Sequence, residues 1–495
     1  MLKPVFYYIF GNNFLPIMDF KSCIVILIVL LGSCQNQRIA QEVSDTYPNI
    51  FPDYVDVTVP YSVAPLNFSV ADAVAIQVDV KDAKGEVASF FGKRMIDFSK
   101  KWTALLKENK GNDIHVTVSV WTEEHPNGIR YQSFPIHIAT DDIDPYIAYR
   151  LIEPGYESWK RIELCERQLS SFKEKAFVSN KTAENACLNC HSFYNYSPDT
   201  FLFHIRGKNG GTVFYKNGQA NKVDLTKLSL GKQGVYPMWH PDGRFVAFAS
   251  NKTFQVFYHQ GEKPLEVFDQ DSNIILYDMQ KNETSTVKSI SGDSIFETFP
   301  AWAPDGNSLY FSSAKKKNVP DSVKNVHYSI VKVAFDKEKG IFSEHVDTLY
   351  AATDTTSASW PRISPDGKYL LYTLAGYGTF PIWHKEADLK MVNLIDGKEV
   401  DTNIINSNDT ESYHSWSSNG RWVLFTSRRI DGRYTRLFIA YFDKNGKFHK
   451  PFLLPQKDPE DNVTRLRSYN VPEFVAGEVK MSGSTFKEIF KMMKK

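Results

Sequence analysis

Residues 187–191 read Cys-Leu-Asn-Cys-His, two thiols three positions apart with an imidazole directly after the second. With five cysteines in 495 residues, meeting this trio by chance is on the order of one in several hundred. Three chemistries use it. A structural zinc ion takes two thiolates from such a knuckle but needs two further ligands, and the chain has no second Cys-x-x-Cys and no suitably spaced histidine pair. A dithiol redox pair needs a low-pKa thiolate at a helix start in a βαβ setting. Covalent haem attachment needs two thiols for the vinyl groups of one haem edge and a histidine placed for the iron. The spacing meets that demand in full. Cys187 and Cys190 are therefore expected to hold one haem c covalently, with His191 as proximal iron ligand.

Attachment of this kind takes place outside the cytoplasm, and the N-terminus points there. From Met18 the chain reads MDFKSCIVILIVLLGSCQNQ, a charged start, a short apolar run and small residues, in the order of a secretory signal. The apolar run is shorter than the roughly 20 residues a spanning helix needs. Leu31-Gly32-Ser33-Cys34 resembles the lipobox of bacterial lipoproteins. That resemblance implies cleavage before Cys34 and lipid on its thiol, hence a membrane anchor on the periplasmic side of the outer membrane. Met1 and Met18 both stand as candidate starts for that signal.

Around the trio, the c-type cytochrome resemblance covers only these five residues and their flank, without the usual small helical fold. Residues 48–150 read as a β-rich, sandwich-like module. Asp113 to Val120 alternates apolar and polar, Pro126-Asn127-Gly128 supplies a turn, and one helix is expected near Ser99 to Glu108. Residues 151–198 read as a helical, haem-bearing linker. Trp159, Ile162, Cys165, Leu169 and Phe172 recur at helical spacing over an expected helix 156–176, which makes Cys165 a buried, inert thiol.

From 199 to 480 the chain repeats. YPMWHPDGRFVAFAS, FPAWAPDGNSLYFSS, WPRISPDGKYLLYTL and YHSWSSNGRWVLFTS, opening at Tyr236, Phe299, Trp360 and Tyr413, each place a tight turn between two strands. Units of this kind cannot bury both faces alone and must stack, and radial stacking gives a β-propeller. The Pro-Asp-Gly hairpins resemble TolB-like propeller repeats, which implies a mainly β fold of five or six blades. Phe201–Asp224 and Tyr469–Phe474 are expected to share the closing blade, ahead of a basic tail at 481–495. Where the repeat is broken, a distal iron ligand becomes a candidate: His240 replaces small residues, His414 replaces proline, Met238 stands in a variable position, and His204 is nearest in sequence.

The 58 basic and 57 acidic side chains leave a formal charge of +1, which offers no field for nucleic acid. There is no Gly-x-Ser-x-Gly, no His-Glu-x-x-His and no P-loop spacing, and acidic turns such as Asp269-Gln270-Asp271 read as solvated. The expectation is an envelope-anchored, monohaem electron carrier or redox sensor whose propeller docks a redox or envelope protein. The rival is a non-enzymatic propeller that binds a protein or glycan, with haem structural or absent.

Overall fold

A computed structural model describes residues 39–154, 160–207, 210–259 and 263–493. The signal and the lipobox with Cys34 lie outside the described residues. Among the described residues, no helix is long and apolar enough to cross a membrane.

Six four-stranded antiparallel sheets account for most of the chain. Sheet II begins with Leu188–Phe193, sheet III with Val235–Trp239, sheet IV with Ile295–Trp302, sheet V with Ser357–Ile363 and sheet VI with Glu411–Trp416. Sheet I is built from both ends of the ring. The late strand Ser468–Val475 pairs with Tyr146–Ile152, which leads outward to Ile162–Gln168 and Glu174–Ser179. The six first-named strands touch one another in cyclic order, and Ser468–Val475 closes the circle against Leu188–Phe193. This is a β-propeller, whose closure leaves its inner sheet edges facing one another around an axial channel rather than open solvent.

Closure corrects two expectations. Tyr469–Phe474 completes sheet I with residues 146–179, whereas Phe201–Asp224 belongs with the cysteine-bearing strand in sheet II. The stretch read as a helix over 156–176 is strand Ile162–Gln168 and the start of Glu174–Ser179. Its polar residues face partners instead of water, and this disguised the strand alternation. Arg167 donates to the Pro455 carbonyl at 2.6 Å and to Gln456 at 3.0 Å, and Glu166 accepts the Val479 N–H at 2.6 Å. Cys165 is buried there, and burial pushes its thiol well up, which suppresses the reactive thiolate.

Residues 42–139 form a seven-stranded and a three-stranded sheet around the helix Ser99–Glu108. Trp102, Phe98, Val78 and Val118 share one core with Trp422, Leu437 and Tyr469 of sheets VI and I. The tail forms helix Gly483–Met493, whose Phe486, Ile489 and Phe490 cover the outer strands of sheets I and II.

Candidate functional site

The expected helical linker is absent, and the Cys-x-x-Cys-His segment is instead the innermost strand of sheet II. Its register slips between Asn189 and Ser192, and Cys190 adopts a left-handed φ of 49°. The same slip recurs around the ring, with Tyr236 at φ 50°, Phe299 at 54°, Trp360 at 57°, Tyr413 at 44° and Val471 at 47°. Such values are uncommon for residues other than glycine, and six of them in register mark a bulge built into the repeat. The residue after the bulge is His191, Pro237, Pro300, Pro361, His414 or Pro472. Three positions after the bulge, Trp239, Trp302 and Trp416 donate their indole N–H to the carbonyls of Ser192, Met238 and Arg362 in the preceding sheet, at 3.2, 3.1 and 3.3 Å. Ser192 takes its place in that series. The motif is a repeat element in disguise.

The bulge side chains converge on the axis. Ring centroids of Tyr236 and Phe299 lie 4.6 Å apart, Phe299 and Trp360 4.9 Å, and Trp360 and Tyr413 4.8 Å, all edge to face. Four aromatics thus fill four of six places, while Cys190 and Val471 leave the remaining arc narrow in side-chain volume. A channel of about 1600 Å³ results, with Cys187, Cys190 and His191 in its wall. Both thiols are unpaired and buried, and burial raises that of Cys190. A raised thiol is the opposite of what a dithiol redox pair requires.

His191 is 3% exposed, and its buried ring is only weakly held, with the Val471 backbone in hydrogen-bond reach. Its Nε2 lies 3.4 Å from Glu473 Oε1. Burial, with the Arg150 guanidinium nearby, takes the imidazole down to about 3, and burial takes the Glu473 carboxyl up to about 8. Both effects favour the neutral forms, and neutral imidazole is the form that offers a lone pair to a metal. The donor set, the free thiols and the space together fit a haem held on Cys187 and Cys190. Among the described residues no group of three or more His, Cys, Asp and Glu comes together as a metal cage, which gives zinc no ligand set here.

The other candidate ligands part company. His240 Nε2 is 2.8 Å from the Gly306 carbonyl and its Nδ1 is 2.7 Å from Asp242, so both nitrogens serve the turns of sheets III and IV. His204 Nδ1 lies 3.2 Å from Thr212 Oγ1 inside sheet II, away from the channel. Met238 and His414 do line the channel. His414 Nε2 is 3.1 Å from the Leu371 carbonyl, while its Nδ1 is buried without a partner. Sequence reasoning missed Glu473 and the channel arginines Arg150, Arg206, Arg362 and Arg428. Asp269, read as solvated, is buried and accepts from Asn251 at 2.6 Å and Thr253 at 2.9 Å.

No family model matches the chain, and no curated protein matches it in sequence. Among solved structures it is similar to TolB from Acinetobacter baumannii, at 13% identity over 73% of this chain and 79% of that one, with a TM-score of 0.41. It is also similar to the β-propeller domain of the Trilobed protease from Pyrococcus furiosus, at 9% identity over 68% and 81%, TM-score 0.33. An oligogalacturonate lyase from Vibrio parahaemolyticus aligns at 12% identity over 61% and 92%, TM-score 0.33. The propeller architecture itself follows from the closed ring of sheets.

Proposed function

We propose that this chain is a six-bladed propeller cytochrome of the bacterial cell envelope, carrying one haem c on Cys187 and Cys190 with His191 as proximal ligand. Lipid on Cys34 anchors it to the periplasmic side of the outer membrane. The observation that carries the reading is the broken ring: at the one bulge where a thiol replaces an aromatic, a buried, weakly held imidazole follows it and both line a channel that also takes in Cys187.

A bound haem supplies one-electron chemistry at its iron. The chain supplies the rest. The bulge sets Cys190 and His191 side by side in the channel wall, and the Trp239–Ser192 bond pins the strand beyond them. Tyr236, Phe299, Trp360 and Tyr413 give one arc of the channel an aromatic wall, and the shell around a redox centre tunes its potential. Of the four candidates read from the sequence, Met238 and His414 line the channel and would be the ones to serve as a further ligand. Electron transfer or redox sensing follows, with the outer propeller surface docking a partner.

The test is a pyridine haemochrome spectrum of the chain exported in a host competent for cytochrome c maturation, beside Cys187→Ala. A covalent c-type spectrum in the parent that changes or disappears in the variant is expected. No covalent haem under those conditions overturns the reading and leaves the propeller as a binding module.

A further inference from the structure

The channel wall is electrically lopsided. Among the described residues it carries six arginines, Arg150, Arg161, Arg206, Arg362, Arg428 and Arg433, against two glutamates, Glu153 and Glu473. Glu153 lies 3.8 Å from Arg467, and Glu473 Oε1 lies 3.4 Å from His191 Nε2. Arg161 is paired with Glu163 at 3.1 Å. Arg150, Arg206, Arg362 and Arg428 are in no ion pair with a described residue. A guanidinium withdrawn from water without a counter-charge is expensive, and the expense vanishes when an anion arrives.

Three of the four gather where the cysteines are. Arg150 donates to the side chain of Asn189, next to Cys190, and its Nε is buried with no partner. Arg206 follows the second strand of sheet II, and its backbone N–H donates to the Cys187 carbonyl at 2.9 Å. Its charge is felt at Cys190, Cys187 and Tyr236, and the buried Asp269 is its nearest acidic neighbour. Arg428 is 2% exposed and lies 3.3 Å over the Trp383 ring, with Nε donating to the Ile382 carbonyl at 2.6 Å. Asp409 and Asp431 are in its field without pairing to it, and burial lowers it to about 9, still charged at neutral pH. Arg150, Tyr413 and Arg428 all line the channel.

We infer that Arg150, Arg206 and Arg428 form an anion subsite on the channel wall beside Cys187 and Cys190, shaped for the carboxylates of a flat, conjugated molecule. The charge calls for carboxylate, because guanidinium forks match its two oxygens. The flat body is called for by the aromatic wall of Tyr236, Phe299, Trp360 and Phe380. Two sources carry this chemistry: the carboxylates of a haem on Cys187 and Cys190, which rests on the function proposed above, and a free aromatic carboxylate.

The test uses the full chain produced without haem and titrated calorimetrically with benzene-1,3,5-tricarboxylate. Binding is expected, weakening with added salt, and Arg150→Gln and Arg206→Gln each weaken it about tenfold, the loss of one charge-assisted contact. Arg206→Lys recovers part of it. Arg428 also holds two carbonyls, so it is left intact, and melting curves verify that both variants fold. The haem-loaded chain then separates the sources: lost binding assigns the subsite to the haem's own carboxylates, and retained binding to a second ligand. No binding by the haem-free chain, or binding indifferent to both substitutions, overturns the inference. Failure to load haem at all removes the haem reading and leaves this titration to stand alone.

Discussion

Glu297 and Glu411 occupy the same place in the repeat, two residues before the left-handed Phe299 and Tyr413, yet their surroundings differ. Glu411 has Arg429 at 2.9 Å and the hydroxyls of Ser407 and Ser427 at 2.7 Å. Glu297 is fully buried; Asn273 donates to one oxygen at 3.4 Å, and Oε1 has no partner. Burial raises the Glu297 carboxyl from 4.5 to about 8. In the folded chain it therefore keeps a proton that the unfolded chain releases, so its stability contribution is fully present below about pH 4.5 and is lost as pH climbs to 8. At about 1.36 kcal/mol per pH unit the ceiling is about 5 kcal/mol, and local relaxation around the charge leaves about 2–4 kcal/mol. Glu297→Gln keeps the shape and removes the titration. Urea unfolding followed by tryptophan fluorescence should show the variant and parent nearly equal at pH 5, and the variant more stable by about 2–4 kcal/mol at pH 8.5. Asp269 and Glu473, raised to about 7 and about 8, slope the same way in both proteins and cancel in the difference. An identical gap at the two pH values refutes the argument. Burial raises the Glu411 carboxyl too, but Arg429 beside it supports the charged form, so Glu411→Gln should gain less at pH 8.5 than Glu297→Gln does.

Three further outcomes follow from the ring. Trp302→Phe removes the indole bond to the Met238 carbonyl and should lower stability by about 1 kcal/mol in urea unfolding, with a neutral result refuting the inter-sheet bond. Cys190→Phe puts a fifth aromatic at a backbone angle that four aromatics already adopt, so the haem-free chain should gain about 1 kcal/mol while covalent haem staining disappears; a large destabilisation would show that the six bulges are not equivalent. Native-state labelling with a thiol reagent should be unchanged by Cys165→Ser, because Cys165 is 2% exposed and its thiolate suppressed, and a lost label would contradict that.

Legibility in the sequence tracked how faithfully each sheet kept the repeat. Sheets III to VI announced themselves through turns whose glycines adopt φ of 73°, 73°, 73° and 66°, at Gly243, Gly306, Gly367 and Gly420. At Gly306 the constraint is doubled, since a Cβ there would meet the His240 ring at 2.5 Å. The two innermost strands of sheet I come from distant parts of the chain, so no hairpin turn joins them, and its strand Ile162–Gln168 buries Glu166 against the Val479 N–H and Arg167 against Pro455 and Gln456, so alternation gave way to an accidental helical spacing. Sheet II hid for a different reason. Asn189-Cys190-His191-Ser192-Phe193 is the counterpart of Ser412-Tyr413-His414-Ser415-Trp416, and the alignment was open to view. The residues that conceal it are the ones with chemistry to do, the thiol in place of an aromatic and the imidazole in place of proline. A repeat keeps its consensus where only packing is asked of it and departs from it where a site is made. In this chain the departures are concentrated: the aromatic ring is incomplete at Cys190 and Val471, and the thiols, His191 and the arginines Arg150 and Arg206 line the same channel, so the proposed haem and the proposed anion subsite rest on one gap in a packing motif and are tested at the same residues.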